Sequence, residues 1–302
     1  MILLHKINLF YKFCKKINID KISQLSHNLD VKKRIYLFLI IFILLPLPLY
    51  AYEDEVAYVK YVLDGDTIVL EDGRHVRYLG INTPEWQEPF SIKAKRFNKM
   101  LVNHRKVRLS FDRQVKDGYG RLLSYVFVDN MMVNARLVEE GLAHAFFIPP
   151  NNRYNSLFLE LQRKAKRQKK GMWSIYCEHI TLKITKLSPQ KYDKKRKTSP
   201  YMRLVNLSLE PLDIGGYSIS NKRGDEYVFP SFILSPGYTV IISSERGKDG
   251  YDRRGQLKLH WRALYKAWGP KRGVAILKNP KGQIIGIYKY KGHRIFYKVP
   301  HF

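Results

Sequence analysis

Three short stretches of this chain and one lone arginine carry side chains that can do chemistry on a phosphate ester. Asp64-Gly65-Asp66-Thr67 sits between two strand-like runs, and Asn82-Thr83-Pro84-Glu85 follows another. Arg77 lies between these two stretches, and Arg121 ends Asp117-Gly118-Tyr119-Gly120-Arg121. Carboxylate and amide oxygens at Asp66 and Asn82 suit a hard cation such as Ca²⁺. Two arginines, Arg77 and Arg121, can fork onto phosphate oxygens and stabilise the negative charge added in a transition state. A carboxylate at Glu85 can take a proton from an attacking water. Each piece also has a plainer reading. Asp-Gly is good turn chemistry, Thr83-Pro84-Glu85 can cap and begin a helix, and Arg121 can be a solvated turn residue. Taken as a set, they describe a phosphodiesterase site.

The surrounding pattern must position these residues. Val56–Leu63, Thr67–Leu70 and Val76–Ile81 are rich in β-branched and aromatic residues, with a turn at Asp72-Gly73. Val107–Phe111 and Leu122–Val128 alternate as two further strands. Helices are expected over Ser91–Asn103, Val133–Leu142 and Tyr154–Lys170. The first is expected to bury Ile92, Phe97, Met100 and Leu101, and the last Leu157, Phe158, Leu161 and Ala165. Three strands, a helix, two strands and two helices fit a small five-stranded barrel with helices packed on it. The polar, basic stretch over 176–202 reads as a linker, with Leu182–Leu187 as a candidate first strand of a second domain. Beyond it come short strands at Leu204–Asn206, Tyr217–Ser220, Tyr227–Phe229, Thr239–Ser243, Val274–Lys278 and Ile284–Tyr290. Turn residues punctuate them, which suits a β-sandwich. The expected fold class is therefore mainly β with α, in two domains.

With 302 residues, 45% hydrophobic and 13% aromatic, the chain can build real cores, so wholesale disorder is excluded. Two cysteines exclude a disulfide-stapled scaffold. The net charge of +28 points to a polyanionic partner: nucleic acid, an anionic membrane face or an anionic envelope polymer. That charge is concentrated, since residues 176–302 hold 25 Lys+Arg against 9 Asp+Glu. Lys32-Lys33-Arg34 precedes an apolar run over 35–45, then two prolines and Ala51. This is the pattern of a signal peptide over residues 1–51, cut after Ala51, with an uncut membrane anchor as the alternative. An exported protein is expected, in the periplasm, outside the cell or on its surface. Cleavage would remove Cys14 and leave Cys177 alone, so no internal disulfide is expected.

Residues 56–174 resemble the staphylococcal nuclease (thermonuclease) family. The residues that carry the likeness are Asp64-Gly65-Asp66-Thr67, Arg77 with Asn82-Thr83-Pro84-Glu85, Asp117–Arg121, Pro150-Asn151-Asn152 and Met172-Trp173-Ser174. The resemblance implies an OB-type β-barrel in residues 52–175 and calcium-dependent hydrolysis of DNA and/or RNA. It implies Arg77 and Arg121 on the phosphate, Glu85 as general base, and Asp66, Asn82 and the Thr83 carbonyl on calcium. Tyr119, Phe146 and Phe147 stand as its substrate-binding aromatics. The chain departs from the family's best-studied member at Asn82 (an aspartate there), at Gly118 (a lysine) and at Phe146-Phe147-Ile148 (tyrosines). Residues 203–302 resemble a lamin-tail domain, an immunoglobulin-like sandwich, through Arg203–Ser208, Leu212–Tyr217, Phe229-Pro230 and Leu234–Gly237. The resulting expectation is an exported nuclease whose basic second domain holds it on nucleic acid or an envelope polymer, with no protein partner. The alternative is a non-catalytic binding protein built on the same fold.

Overall fold

The structure is a computed structural model, and it describes residues 54–175, 180–188, 199–269, 271–291 and 294–298. The apolar run over 35–45, the cleavage point after Ala51, Cys14 and Cys177 lie outside the described residues. No helix among the described residues is long and apolar enough to cross a membrane. Residues Tyr52–Phe302 form one compact unit.

The first domain is built on β1 (Glu55–Val62), β2 (Thr67–Leu70), β3 (His75–Tyr78), β5 (Lys106–Ser110) and β6 (Leu122–Val128), with a short β4 (Ile81–Asn82) between β3 and β5. The sheet runs β3-β2-β1-β5-β6 and closes through a parallel β3–β6 pairing, Val76 beside Leu122 and Tyr78 beside Ser124. Closure needs one strand to serve two neighbours. Residues 55–58 of β1 pair with β5, residues 59–62 pair with β2, and an irregularity between Val59 and Tyr61 makes the bend. Met131–Met132 (β7) pairs with the end of β6, and His144–Ala145 (β8) with β4. Helices α1 (Ser91–Val102), α2 (Val133–Glu139) and α3 (Asn155–Arg167) pack around this barrel.

Helix α1 turns a different face inward from the one expected. Ala94, Asn98 and Val102 are buried, whereas Ile92 and Met100 are exposed. Phe97 and Leu101 do pack against the core. The reason is a polar tie. Tyr78 donates its hydroxyl proton to Asn98 Oδ1 at 2.9 Å, and Asn98 Nδ2 donates to the Asp64 carbonyl at 3.2 Å. Satisfying Asn98 inside the barrel selects the face that also turns Ala94, Phe97, Leu101 and Val102 inward.

The second domain is a sandwich of two five-stranded sheets. One contains β9 (Leu182–Ser188), β10 (Tyr201–Asn206), β15 (Thr239–Ser243), β16 (Gly250–Tyr251) and β17 (Leu257–His260), in the order β16-β17-β15-β10-β9. The other contains β12 (Ser218–Ser220), β13 (Glu226–Val228), β18 (Arg272–Lys278), β19 (Ile284–Lys291) and β20 (Arg294–Lys298), in the order β13-β12-β18-β19-β20. A small pair, β11 (Leu212–Asp213) and β14 (Ile233–Leu234), and a one-turn α4 (Leu264–Ala267) complete it. Leu182, Ile184, Met202, Leu204, Val240 and Ile242 from the first sheet meet Ile219, Ala275, Leu277 and Tyr288 from the second in one core. The sandwich thus starts at Leu182, at the candidate strand inside the stretch read as a linker.

The two domains are packed together. Phe147 donates its backbone N–H to the Gly237 carbonyl at 2.7 Å, and its carbonyl accepts the Thr239 hydroxyl at 3.2 Å. Its ring meets Tyr238 edge-on, centroids 5.5 Å apart. Gly237 has φ +75°, and a Cβ there would fall 2.6 Å from the Phe147 ring, so glycine is required on both counts. Phe146, Ala165, Met172 and Trp173 of the first domain share an apolar cluster with Ile180, Val205 and Leu207. Lys166 Nζ caps the Leu207 carbonyl at 2.9 Å. Lys183 and Glu88 form an ion pair at 2.8 Å with both side chains 2% exposed.

Candidate active site

The loop between β1 and β2 and the segment after β4 are pressed together. A Cβ on Gly65 would lie 2.6 Å from Thr83 Oγ1, so only glycine allows this approach. Asp66 spans the gap: its Oδ2 accepts the Thr83 backbone N–H at 2.7 Å and the Thr83 hydroxyl at 2.9 Å. Asn82 Nδ2 donates to the Thr83 carbonyl at 3.1 Å. Asp66, Asn82 and Thr83 are all buried and converge on one place.

Arg77 on β3 braces the cluster. Its Nε lies 3.2 Å from Asp66 Oδ1, and its Nη2 donates to Asn82 Oδ1 at 2.7 Å. Its Nη1 donates to the carbonyls of Tyr78 and Ile81 at 2.6 and 2.9 Å. Four interactions leave this guanidinium little rotational freedom. Arg121 is held by Asp117 instead, with Nε and Nη2 each 2.8 Å from Oδ2. Asp117 also caps its own turn, its Oδ1 accepting the N–H groups of Tyr119 and Arg121 at 2.9 and 3.1 Å. Tyr119 is 51% exposed, and its ring centroid lies 5.5 Å from the Arg121 guanidinium carbon.

Glu85 follows Asn82-Thr83-Pro84 directly and is partly buried. Burial pushes its carboxyl up to about 7, helped by the charges of Asp66 and Glu88 and opposed by Lys186. Its backbone N–H donates to Glu88 Oε2 at 3.2 Å, the same oxygen that takes Lys183. The second domain therefore reaches the Glu85 loop through one buried ion pair. Asp64 is pushed up to about 6, by burial first and by Asp66 second.

Arg77, Glu85, Asp66, Asn82 and Thr83 are thus gathered at one end of the barrel, and Arg121 sits with Tyr119 on the turn preceding β6. Phe146 and Phe147 stand elsewhere. Both are buried in the contact with the sandwich, 9% and 0% exposed, and they present no ring face to a ligand. Their expected role as substrate-binding aromatics is corrected: Val205 and Leu207 cover Phe146, and Gly237, Tyr238 and Thr239 cover Phe147. Sequence reasoning gave Asp64 no role of its own within its stretch, and it missed Glu88 beside Glu85 and Asn98 behind the Asp64 loop. The doubled aspartate was a visible signal for the first. Nothing local marked the other two, whose partners are remote.

Comparison with known proteins agrees with this geometry. The family described as "Staphylococcal nuclease homologue" matches residues 75–175. The protein named "Thermonuclease" from Staphylococcus intermedius is 40% identical over 124 residues, covering 38% of this chain and 74% of that protein. The chain belongs to the staphylococcal nuclease family. A second "Thermonuclease", from Staphylococcus hyicus, is 40% identical over 122 residues, covering 37% of this chain and 72% of its own length. "Endonuclease YncB" from Bacillus subtilis (strain 168) is 42% identical over 123 residues, covering 37% of this chain and 58% of that protein. The second domain of this staphylococcal nuclease homologue matches the family described as "Lamin Tail Domain", over residues 181–292.

Proposed function

We propose that the protein is an exported, calcium-dependent nuclease that hydrolyses phosphodiester bonds of DNA and/or RNA. The observation that carries this reading is the convergence of Asp66, Asn82 and the Thr83 carbonyl beside Arg77, with Glu85 two residues further along the chain. The names of the relatives and the basic flank of the apolar run over 35–45 support it.

The donor set fits calcium. A carboxylate, an amide oxygen and a backbone carbonyl are hard oxygen ligands, which suit Ca²⁺ rather than a thiolate- or imidazole-bound metal. Among the described residues no group of three or more His, Cys, Asp or Glu could hold a metal. A cation here therefore depends on the neutral oxygens of Asn82 and Thr83 and on water. When bound it would supply positive charge against the phosphate.

The protein's own residues do the rest. Glu85, its carboxyl pushed up by burial to about 7, takes a proton in its ionised form from water as that water attacks phosphorus. Arg77 keeps Asp66 and Asn82 in place and presents its remaining Nη2 hydrogen to the phosphate. Arg121 is preset by Asp117 and donates from its free edge to the same group. The surplus of basic residues in 176–302 draws in the polyanion.

The test is digestion of single-stranded and duplex DNA and RNA by the full-length protein, with calcium and then with a chelator. Cleavage that needs calcium is expected. Binding of nucleic acid with no cleavage under any condition would leave a non-catalytic binding protein instead.

A further inference from the structure

The sheet face of the second domain that meets the barrel carries an unusual pair of cations. Lys186 on β9 and Arg203 on β10 are cross-strand partners. The register shifts just past Arg203, so Thr185 is the extra residue, and Lys183 and Lys186 fall on the same side of the sheet. That side faces the nuclease domain. Lys183 reaches Glu88, and Val205, two residues beyond Arg203, lies in the apolar cluster with Phe146 and Trp173. The opposite side, with Ile184, Met202 and Leu204, fills the sandwich core.

Arg203 and Lys186 therefore stand between two anchored points of the interface, beside the catalytic loops. Lys183, on the same side of the sheet, reaches Glu88, whose Oε2 also accepts the Glu85 backbone N–H, so this face meets the Glu85 loop. The Arg203 guanidinium carbon lies 5.6 Å from the centre of the Tyr201 ring. Burial is the main cause of a lowered Arg203. Its Nε is enclosed without a hydrogen-bond partner. Among the described residues, no carboxylate within ion-pair distance serves Arg203 or Lys186. The barrel's own arginines are different, since Arg77 has Asp66 and Arg121 has Asp117. A largely enclosed guanidinium that faces an aromatic ring but has no anion gains free energy when an anion binds.

We propose that Arg203 and Lys186 of the second domain form a subsite for a backbone phosphate of the nucleic acid, next to the phosphate that is cut. This rests on the nuclease reading above and deepens it. The second domain becomes one wall of the substrate cleft rather than a separable tether. Arg203 forks onto the phosphate, and Lys186 adds a point charge.

The experiment measures binding of a fluorescein-labelled single-stranded octanucleotide across a salt series, with cleavage kinetics alongside. Arg203→Gln is expected to weaken binding about tenfold, as loss of a hydrogen bond between charged groups does. It should also flatten the slope of log K against log salt by about 0.7, the value for one phosphate contact on a single strand. Lys186→Gln should flatten it by a similar amount, and Arg203→Lys should keep the slope while still raising KM. Arg254→Gln, in an exposed turn away from the cleft, is the control for general charge. Slopes for Arg203→Gln and Lys186→Gln equal to wild type, or an equal flattening by Arg254→Gln, overturn the proposal while leaving the nuclease reading intact. A wild-type protein that neither binds nor cuts nucleic acid overturns both. If Arg203→Gln unfolds, Lys186→Gln and Arg203→Lys still decide.

Discussion

In the barrel, each arginine of the site has its own carboxylate: Arg77 leans on Asp66, and Arg121 is clasped by Asp117. On the facing sheet of the sandwich, Lys183 is paired and buried with Glu88, while Arg203 and Lys186 have no such partner among the described residues. The barrel fixes its cations before any substrate arrives, which is how electrostatic stabilisation is made without reorganisation during the reaction. The sandwich uses one cation as a rivet and leaves two for an incoming anion. Charge count alone does not separate these uses, because burial and partner decide what each lysine or arginine does.

The rivet is where the comparison breaks most visibly. Lys183→Met leaves the Glu88 carboxylate buried and unpaired, which should cost about 3–5 kcal/mol of stability. Denaturant melts of the full-length protein measure this, and Lys183→Met/Glu88→Leu should regain most of it. A single variant as stable as wild type would mean that the pair does not join the domains. Next in size, Arg121→Lys should lower cleavage about 10²–10³-fold, since an ammonium cannot fork onto two phosphate oxygens. Its melting temperature should stay near wild type, because Asp117 still caps its own turn through backbone N–H groups. A large loss of stability instead would make Arg121 a structural brace of the kind Arg77 is.

The smallest expected effect concerns Asn82. An amide oxygen ligates a hard cation but brings no charge, and calcium affinity follows ligand charge as well as geometry. Asn82→Asp should therefore lower the calcium concentration for half-maximal activity. Its new carboxylate would also pair with Arg77, whose Nη2 already donates to this side chain. Superimposable calcium titrations would reduce Asn82 to a shaper of the turn before Pro84.

Much of this was legible in the sequence where the signal is local. Thr67–Leu70, Leu122–Val128 and Thr239–Ser243 are strands with the bounds that their β-branched runs mark. The proposed catalytic set is marked in the sequence too, since turn glycines and paired acids recur in order. What escaped depends on contacts remote in sequence. Phe146 and Phe147 look like a nucleotide platform until Gly237, Tyr238 and Val205 cover them. The rotation of α1 follows Asn98, a polar residue that periodicity counts as outward. Strands as short as Gly250–Tyr251 carry too few residues to show alternation at all.

The proposed chemistry turns on Glu85 as the base of a phosphodiesterase built from the barrel's loops. Single-turnover cleavage of a labelled oligonucleotide by Glu85→Gln, with saturating calcium and with binding measured in parallel, tests it most directly. A rate about 10²–10⁴ below wild type, with affinity for the oligonucleotide retained, is expected; a wild-type rate would remove Glu85 as the base.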